Sequence, residues 1–297
     1  STDNSLAVLN SFNDERLKVF SKENEGAYKT WRFGVEKATG DYIVFVDSDD
    51  GVIPSVFTRI NEISEEKEYD FIQFGWYNSY PDGKKTVGNI GEGVKEGGYE
   101  GERLEELKRT LLYSFDFNYL RFCRWARVFK ADVLKRLLPK LIEKIRMYED
   151  NCVTVPFISE VNSAYLDNAP YYVYRYSRAD SVTNALKNEE FYGDCKKLNE
   201  FFEENAAALS LAKETLDAQY FITNICTYLR FLKSGDYAAV KRAENDERFQ
   251  ELLVVAQKSG LNKRNATITK LFYKRKYKAL RLLQRANEVM KKLRRKG

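Results

Sequence analysis

The chain has 297 residues, 43% of them hydrophobic and 31% charged, with 5 prolines and a net charge of +5. That composition excludes a disordered or fibrous protein and gives enough chain for a single large α/β domain or a domain with a helical appendage. There is no histidine, which excludes His-dependent triads, imidazole zinc sites and histidine general bases and leaves proton transfer to carboxylates, Lys or Tyr.

Residues 16–20 carry Leu17, Val19 and Phe20, and residues 42–46 are a continuous apolar run leading into acids. Both predict short strands, the second fully buried. Between them, Asn24-Glu25-Gly26 is turn chemistry, and Ala27, Trp31, Val35 and Ala38 recur at helical spacing before Gly40, predicting a helix over 27–38. Pro54 precedes a predicted helix over 55–64, in which Val56, Ile60 and Ile63 share a face, and residues 69–77 predict another strand. Alternating β and α units predict a largely parallel sheet.

Residues 79–101, rich in Gly, Lys and Glu, predict a surface loop or irregular hairpin. Helical patterning returns at 102–113 and 131–138, and 164–176 is an aromatic, β-prone segment containing Tyr171, Tyr172, Tyr174 and Tyr176. From about residue 188 the pattern is nearly all helical, with Phe201, Leu209, Leu211, Leu216, Phe221 and Leu229 as expected core contacts.

Charge is segregated. Residues 261–297 hold 14 Lys or Arg against the single acid Glu288, so the rest of the chain is acidic overall. Such a tail predicts an anionic partner, lipid or nucleic acid, with a solvated helix face as the plain alternative. Residues 270–296 place Phe272, Ala279, Leu283, Ala286, Met290 and Leu293 on one side with Lys and Arg around the rest, the pattern of an interfacial helix. No nucleic-acid motif accompanies the charge, so no nucleic acid is expected. The polar start, Ser1-Thr2-Asp3-Asn4-Ser5, lacks the charged-then-apolar pattern of a secretory signal. No run approaches the roughly 20 apolar residues of a membrane span. Cys123, Cys152, Cys195 and Cys226 form no CxxC pair, so reduced structural thiols and a cytoplasmic location, peripheral on the inner membrane face, are expected.

The stretch richest in chemistry is Asp47-Ser48-Asp49-Asp50, directly after the 42–46 strand. Ligands of open α/β sheets gather at the carboxyl ends of strands, and a turn there can direct two of three acids at one hard cation such as Mg²⁺ or Mn²⁺. Taken alone, acids after a strand are more often helix caps or turns.

The ordered set Glu23-Asn24-Glu25-Gly26, Thr30-Trp31-Arg32-Phe33-Gly34 and Ala38-Thr39-Gly40-Asp41-Tyr42-Ile43 running into Asp47-Ser48-Asp49-Asp50 resembles the core of family 2 glycosyltransferases of the GT-A fold. Downstream, Tyr69-Asp70-Phe71-Ile72 is similar to the family's strand after its DxD helix, and Arg124-Trp125-Ala126-Arg127-Val128-Phe129-Lys130 to its Trp-Asn-Lys segment, with Ala126 and Arg127 in place of Asn and Lys. Met147-Tyr148-Glu149-Asp150 resembles the Glu-Asp pair that supplies the family's catalytic base, and residues 172–183 resemble the close of its catalytic domain. Thr30, Trp31 and Arg32 stand where the family has Ala, Arg and Asn. Family members begin with a strand-helix-strand unit that this sequence enters only at its last motif, so about 40 residues are expected to be missing at the front.

The resemblance implies a GT-A, Rossmann-like α/β fold with a mostly parallel sheet and a C-terminal α-helical region. It divides the chain into a catalytic domain over 1–185, a helical region over 186–260 and a basic amphipathic helix over 261–297. It implies inverting, metal-dependent transfer of a hexosyl or N-acetylhexosaminyl group from a nucleotide-diphosphate sugar, a UDP-sugar, to a glycan or lipid-linked acceptor in surface polysaccharide synthesis. Asp49 with Asp47 would hold Mn²⁺ or Mg²⁺, Asp150 would be the catalytic base, and Asn24, Arg32 and Asp47 would lie around the nucleotide. Asp50 would be supportive, Glu149 either shaping the site or merely exposed, and Arg175, Arg178 and Ser181 would approach the diphosphate. Residues 263–297 would meet an anionic membrane. The alternative is a non-catalytic nucleotide-sugar or glycan binding protein.

Overall fold

The computed structural model describes residues 2–88, 94–116, 122–175 and 187–294. Among the described residues seven strands form one sheet: β1 (Tyr42–Val44), β2 (Gly51–Val52), β3 (Phe71–Ser79), β4 (Lys85–Gly88), β5 (Gly97–Tyr99), β6 (Arg127–Lys130) and β7 (Ala164–Arg175). Their order is β1-β6-β3-β7-β2, with β4 added to β3 and β5 to β7. The expected largely parallel sheet is corrected to a mixed one. Among the named strands only β3 and β7 run parallel, while β1–β6, β2–β7, β3–β4, β3–β6 and β5–β7 are antiparallel. The reason is that β6 is inserted between β1 and β3 from far along the chain. β3 and β7 slip register around Gly75, where a Cβ would come within 2.3 Å of the Asn168 carbonyl oxygen, so this bulge requires glycine.

Two helix layers cover the sheet. On one face α3 (Ser55–Glu66) buries Val56, Ile60 and Ile63 against Ile72, Phe74 and Val128. On the other lie α2 (Ala27–Lys37), α4 (Gly101–Leu112), α5 (Ala131–Leu137) and α6 (Asn151–Glu160), whose apolar faces share one core with Ile43, Phe71, Phe129 and Leu166. In α2 the buried residues are Tyr28, Trp31 and Val35, the i, i+3, i+7 stripe of an amphipathic helix.

Two expectations near the start of the chain fail. Residues 16–20 form no strand, and Leu17 and Phe20 are exposed. Strand geometry needs a ladder partner, and here Phe20 instead meets the edge of Phe33 at 5.8 Å. The 42–46 run is not fully buried: β1 ends the sheet order, Ile43 alone is buried and Val46 is exposed. A short helix, α1 (Ser5–Asn10), precedes this region with no buried residue.

The C-terminal part comprises α7 (Asn188–Glu204), α8 (Lys213–Ser234), the single turns α9 (Tyr237–Val240) and α10 (Arg242–Asn245), α11 (Glu247–Lys258), α12 (Lys263–Tyr273) and α13 (Tyr277–Arg294). Its central helix α8 buries Phe221, Ile225, Tyr228 and Phe231 in the same continuous core that reaches the sheet. The basic stretch is therefore two helices rather than one. They are separated at Arg275, whose φ is 53°, and Phe272, expected on an interfacial face, is buried in the core. The four cysteines are free thiols. Among the described residues no helix is long and apolar enough to cross a membrane.

Candidate active site

β1 delivers the acids. Just past its end Phe45 forms a parallel bridge with Trp125, which sets residues 47–50 beside the start of β6. The turn closes with Asp50 N–H donating to the Asp47 carbonyl at 3.0 Å. β7 then pins it: Tyr172 Oη accepts from Asp47 N–H at 3.2 Å and donates to Asp50 Oδ2 at 2.7 Å, and Arg175 N–H donates to Asp50 Oδ1 at 2.8 Å. Asp50 is thus committed to holding the turn. Tyr172 is itself fixed, stacked on Trp125 at 4.9 Å, and Tyr174 lies nearly parallel to the same indole at 5.0 Å.

The second acidic group comes from the turn before α6, and the helical region builds that turn. Asp194 Oδ2 accepts from the backbone N–H groups of Arg146 and Met147, at 3.2 and 3.0 Å. Tyr148 Oη donates to the Thr223 carbonyl at 2.9 Å, and Asn151 Nδ2 donates to Gln219 Oε1 at 2.9 Å. With its side chain held by α8, Tyr148 takes a left-handed φ of 62°. That costs roughly 1 kcal/mol or more for a non-glycine residue, and it reverses the chain so that Glu149 and Asp150 face the sheet end.

Arg124 joins the two groups. Its guanidinium is 5.3 Å from the Trp31 ring centroid and 5.5 Å from that of Phe45, and its Nε donates to Asp150 Oδ1. The Arg124 side chain is 11% exposed and that of Asp150 30%. Asp47 shares this field. Its carboxyl is pushed up to about 6 by desolvation first, with Asp150, Asp50 and Asp49 adding to the rise and Arg124 opposing it. The Glu149 carboxyl is pushed up to about 7 by burial, then by Asp150, again against Arg124. Burial also raises Asp50. Among the described residues, Asp47, which keeps an exposed face, and the half-buried Glu149 and Asp150 therefore gather around the Arg124 guanidinium.

The remaining expected residues lie elsewhere or at the margin. Asn24 is exposed, and its Oδ1 accepts from Gly26 N–H at 3.0 Å, a turn before α2. Arg32 Nη1 donates to Tyr28 Oη at 3.1 Å and approaches the Ile142 carbonyl at 3.4 Å. Neither bonds to the acidic cleft among the described residues. Arg178 and Ser181 lie outside the described residues, and Arg175 contributes its backbone N–H. Residues absent from the expected site belong in it: Arg124, Tyr172 and Trp31, the last with a buried Nε1 that has no hydrogen-bond partner. Glu149 is half-buried, not merely exposed.

Among the described residues, no group of three His, Cys, Asp or Glu converges to hold a metal by protein ligands alone. Asp47 and Asp49 still offer hard oxygen donors from one turn after β1. Such a pair fits an Mg²⁺-like ion, which keeps waters and takes substrate phosphates as its other ligands.

Comparison with known proteins bears on the same region. An uncharacterized glycosyltransferase of Bacillus subtilis, EpsJ, is 24% identical over 165 residues, which are 54% of this chain and 45% of that protein. The Streptococcus pneumoniae glycosyltransferase GlyG is 36% identical over 81 residues, 26% of this chain and 27% of that one. The chain thus spans less than half the length of these curated relatives. In fold it is similar to S. aureus TarS 1-349, with a TM-score of 0.57 at 15% identity over 97% of this chain and 80% of that one, and to the same protein in complex with UDP-GlcNAc, with 0.56 at 16%. Residues 1–138 match the profile described as glycosyl transferase family 2.

Proposed function

We propose that the protein transfers a sugar, with inversion at the anomeric carbon, from a nucleotide-diphosphate sugar to a hydroxyl of a glycan or lipid-linked acceptor in surface polysaccharide synthesis. One observation carries this reading: carboxylates from two distant turns, Asp47 after β1 and Asp150 before α6, meet in one field around Arg124. An in-line transfer needs charge control at the leaving diphosphate and a base for the incoming hydroxyl, and this arrangement supplies both within one cleft.

Asp47 and Asp49 would hold Mn²⁺ or Mg²⁺, and the ion when bound neutralises charge on the departing diphosphate. Asp150 would accept the acceptor's proton. Arg124 Nε bonds to Oδ1 of that carboxylate, leaving Oδ2 to face a hydroxyl. Asp50, Tyr172 and the Arg175 N–H keep the acidic turn in place. Asn24, in the turn before α2, and Arg32, midway along it, would lie toward the nucleotide. The UDP-GlcNAc held by the TarS structure supports a UDP-sugar donor and an N-acetylhexosaminyl group here. An acceptor carried on a lipid would be met at a membrane, and residues 263–297 carry the charge to hold the protein on an anionic inner face.

The test is turnover of UDP-sugars by the chain with Mn²⁺ and a glycan acceptor. Wild-type transfer with loss in both Asp150→Asn and Asp49→Asn is expected. A wild type that binds the donor by calorimetry yet neither transfers nor hydrolyses it would favour the non-catalytic binding protein, a reading that the Arg124 bond to Asp150 supports because it already engages the carboxylate.

A further inference from the structure

The break between α12 and α13 is a built feature. Arg275 N–H donates to the Phe272 carbonyl at 2.8 Å and Lys276 N–H to the Leu271 carbonyl at 2.9 Å. These bonds close the turn with Arg275 at φ 53° and leave Lys274, Arg275 and Lys276 exposed. Tyr237, Arg275, Lys276, Tyr277, Lys278 and Ala279 line an open cleft of about 490 Å³ there. Glu244 is the acid beside it, 3.6 Å from Arg275 Nη1 and hydrogen-bonded to Tyr277. Lys276 and Lys278 have no ion pair among the described residues. Beneath the cleft, Arg281 donates from Nη1 to Tyr237 Oη at 3.4 Å and lies 5.6 Å from that ring centroid, while its buried Nε has no hydrogen-bond partner. Among the described lining residues Arg275, Lys276 and Lys278 are cations and none is an acid, on a rim where two tyrosines provide hydroxyl and ring.

The surrounding surface has a matching character. α13 docks through Leu280, which is buried, and through Gln284 Nε2, which donates to the Leu229 carbonyl at 2.9 Å. Its other side shows Lys278, Leu282, Arg285 and Ala286 to solvent, with Leu282 66% exposed, and Tyr273 at the end of α12 is 48% exposed. The stripe expected to enter a membrane is partly spent on packing, since Phe272 is buried. What faces outward is a basic cleft with isolated apolar side chains on both sides of it along the chain.

We propose that the cleft at the α12–α13 junction binds the phosphate headgroup of an anionic phospholipid, with Tyr273 and Leu282 entering the interface beside it. The phosphate oxygens accept from Arg275, Lys276 and Lys278, while Arg281 holds the Tyr237 hydroxyl at the rim. This deepens the membrane reading of residues 263–297 and does not depend on the sugar-transfer reaction.

The test is cosedimentation of the full chain with vesicles of phosphatidylcholine alone or with 30% phosphatidylglycerol, at 0.1 M salt. Binding to the anionic vesicles only is expected. Lys276→Glu with Lys278→Glu should weaken it about tenfold more than Lys263→Glu with Arg264→Glu, an equal charge change on exposed residues of α12 outside the cleft. Lys276→Gln with Lys278→Gln, monitored by circular dichroism, gives a gentler pair that keeps the fold and should still bind less than the α12 control. Equal loss in the cleft and control pairs would overturn the headgroup site while leaving a diffuse basic surface on the membrane. No wild-type binding to either vesicle would overturn both. A thermal shift with inorganic phosphate that vanishes in the Lys276 and Lys278 pair, without vesicle binding, would assign the cleft to a soluble phosphate and overturn the lipid.

Discussion

Asp150 stands at the N-cap of α6, yet its carboxylate turns away from that helix to Arg124. The backbone at Asp150 is already helical, and the side chain makes no bond to the helix amides, whereas its Oδ1 accepts from Arg124 Nε. An acid at this point of the sequence is most simply a cap. Its engagement with a guanidinium packed between Trp31 and Phe45 is what separates a site residue from a helix terminator.

Removing that guanidinium should therefore cost stability as well as activity. Arg124→Gln removes the cation that Asp47, Glu149 and Asp150 share among the described residues. Breaking a buried pair costs roughly 3–5 kcal/mol, and the partial exposure of Asp150 reduces this to about 2 kcal/mol. Arg124→Lys keeps the charge but loses the flat stacking surface, and about 1 kcal/mol is expected. Urea unfolding at pH 7 checks both, and wild-type stability in Arg124→Gln would show the pair to be energetically idle.

The Glu149 carboxyl gives stability a pH slope of a definite sign. Its folded value of about 7 lies above the model-compound value of 4.5. Between those two pH values the native chain keeps a proton that the unfolded chain has released, so stability falls as pH rises through the window and is lowest above it. Glu149→Gln removes this residue's share of the slope, leaving that of the raised Asp47 and Asp50. It should match wild type near pH 4 and exceed it near pH 8 by up to about 3 kcal/mol, at about 1.4 kcal/mol per pKa unit, measured by denaturant unfolding across the range. A variant less stable than wild type at pH 8 would mean that the ionised carboxylate has a stabilising partner.

What was legible in the sequence divides by the range of the interaction. Val56, Ile60 and Ile63, or Tyr28, Trp31 and Val35, share a helix face because of spacing alone, and those helices form where the spacing puts them. Strand direction is set by partners far away, so the insertion of β6 between β1 and β3, and with it the mixed sheet, left no local trace. Leu17, Val19 and Phe20 look like a strand because apolar character does not reveal whether a ladder partner exists. In the cleft, Asp47, Asp49 and Asp150 were readable as acids at motif positions. Arg124 was not, because its importance lies in a bond across 26 residues and in rings from two other elements. The anchoring of Tyr148 by Thr223 was equally hidden, and it makes the helical region part of the site's scaffold.

Tyr172→Phe isolates the hydroxyl that ties the acidic turn to β7. The stacking on Trp125 survives, but Asp47 N–H loses its acceptor and Asp50 Oδ2 its donor. A loss of about 1–2 kcal/mol is expected from thermal unfolding. If residues 47–50 hold the ion as proposed, the loosened turn should also raise the Mn²⁺ concentration needed for half-maximal transfer severalfold while leaving kcat at saturating metal within about threefold. Unchanged metal dependence would assign Tyr172 to packing alone.

Arg275 carries a backbone penalty that glycine would remove. At φ 53° an L-residue is disfavoured by about 1–2 kcal/mol, against which glycine has a greater unfolded-state entropy of roughly 0.5–1 kcal/mol. Arg275→Gly should therefore be neutral to stabilising, by up to about 1 kcal/mol, although it gives up the 3.6 Å pair with Glu244, which on the surface is worth little. Lys270→Gly, five residues earlier and inside α12, meets ordinary helical geometry and should cost about 1 kcal/mol. Thermal melts of the two single variants check the contrast, since equal destabilisation would mean that the left-handed turn at Arg275 imposes no strain for glycine to relieve.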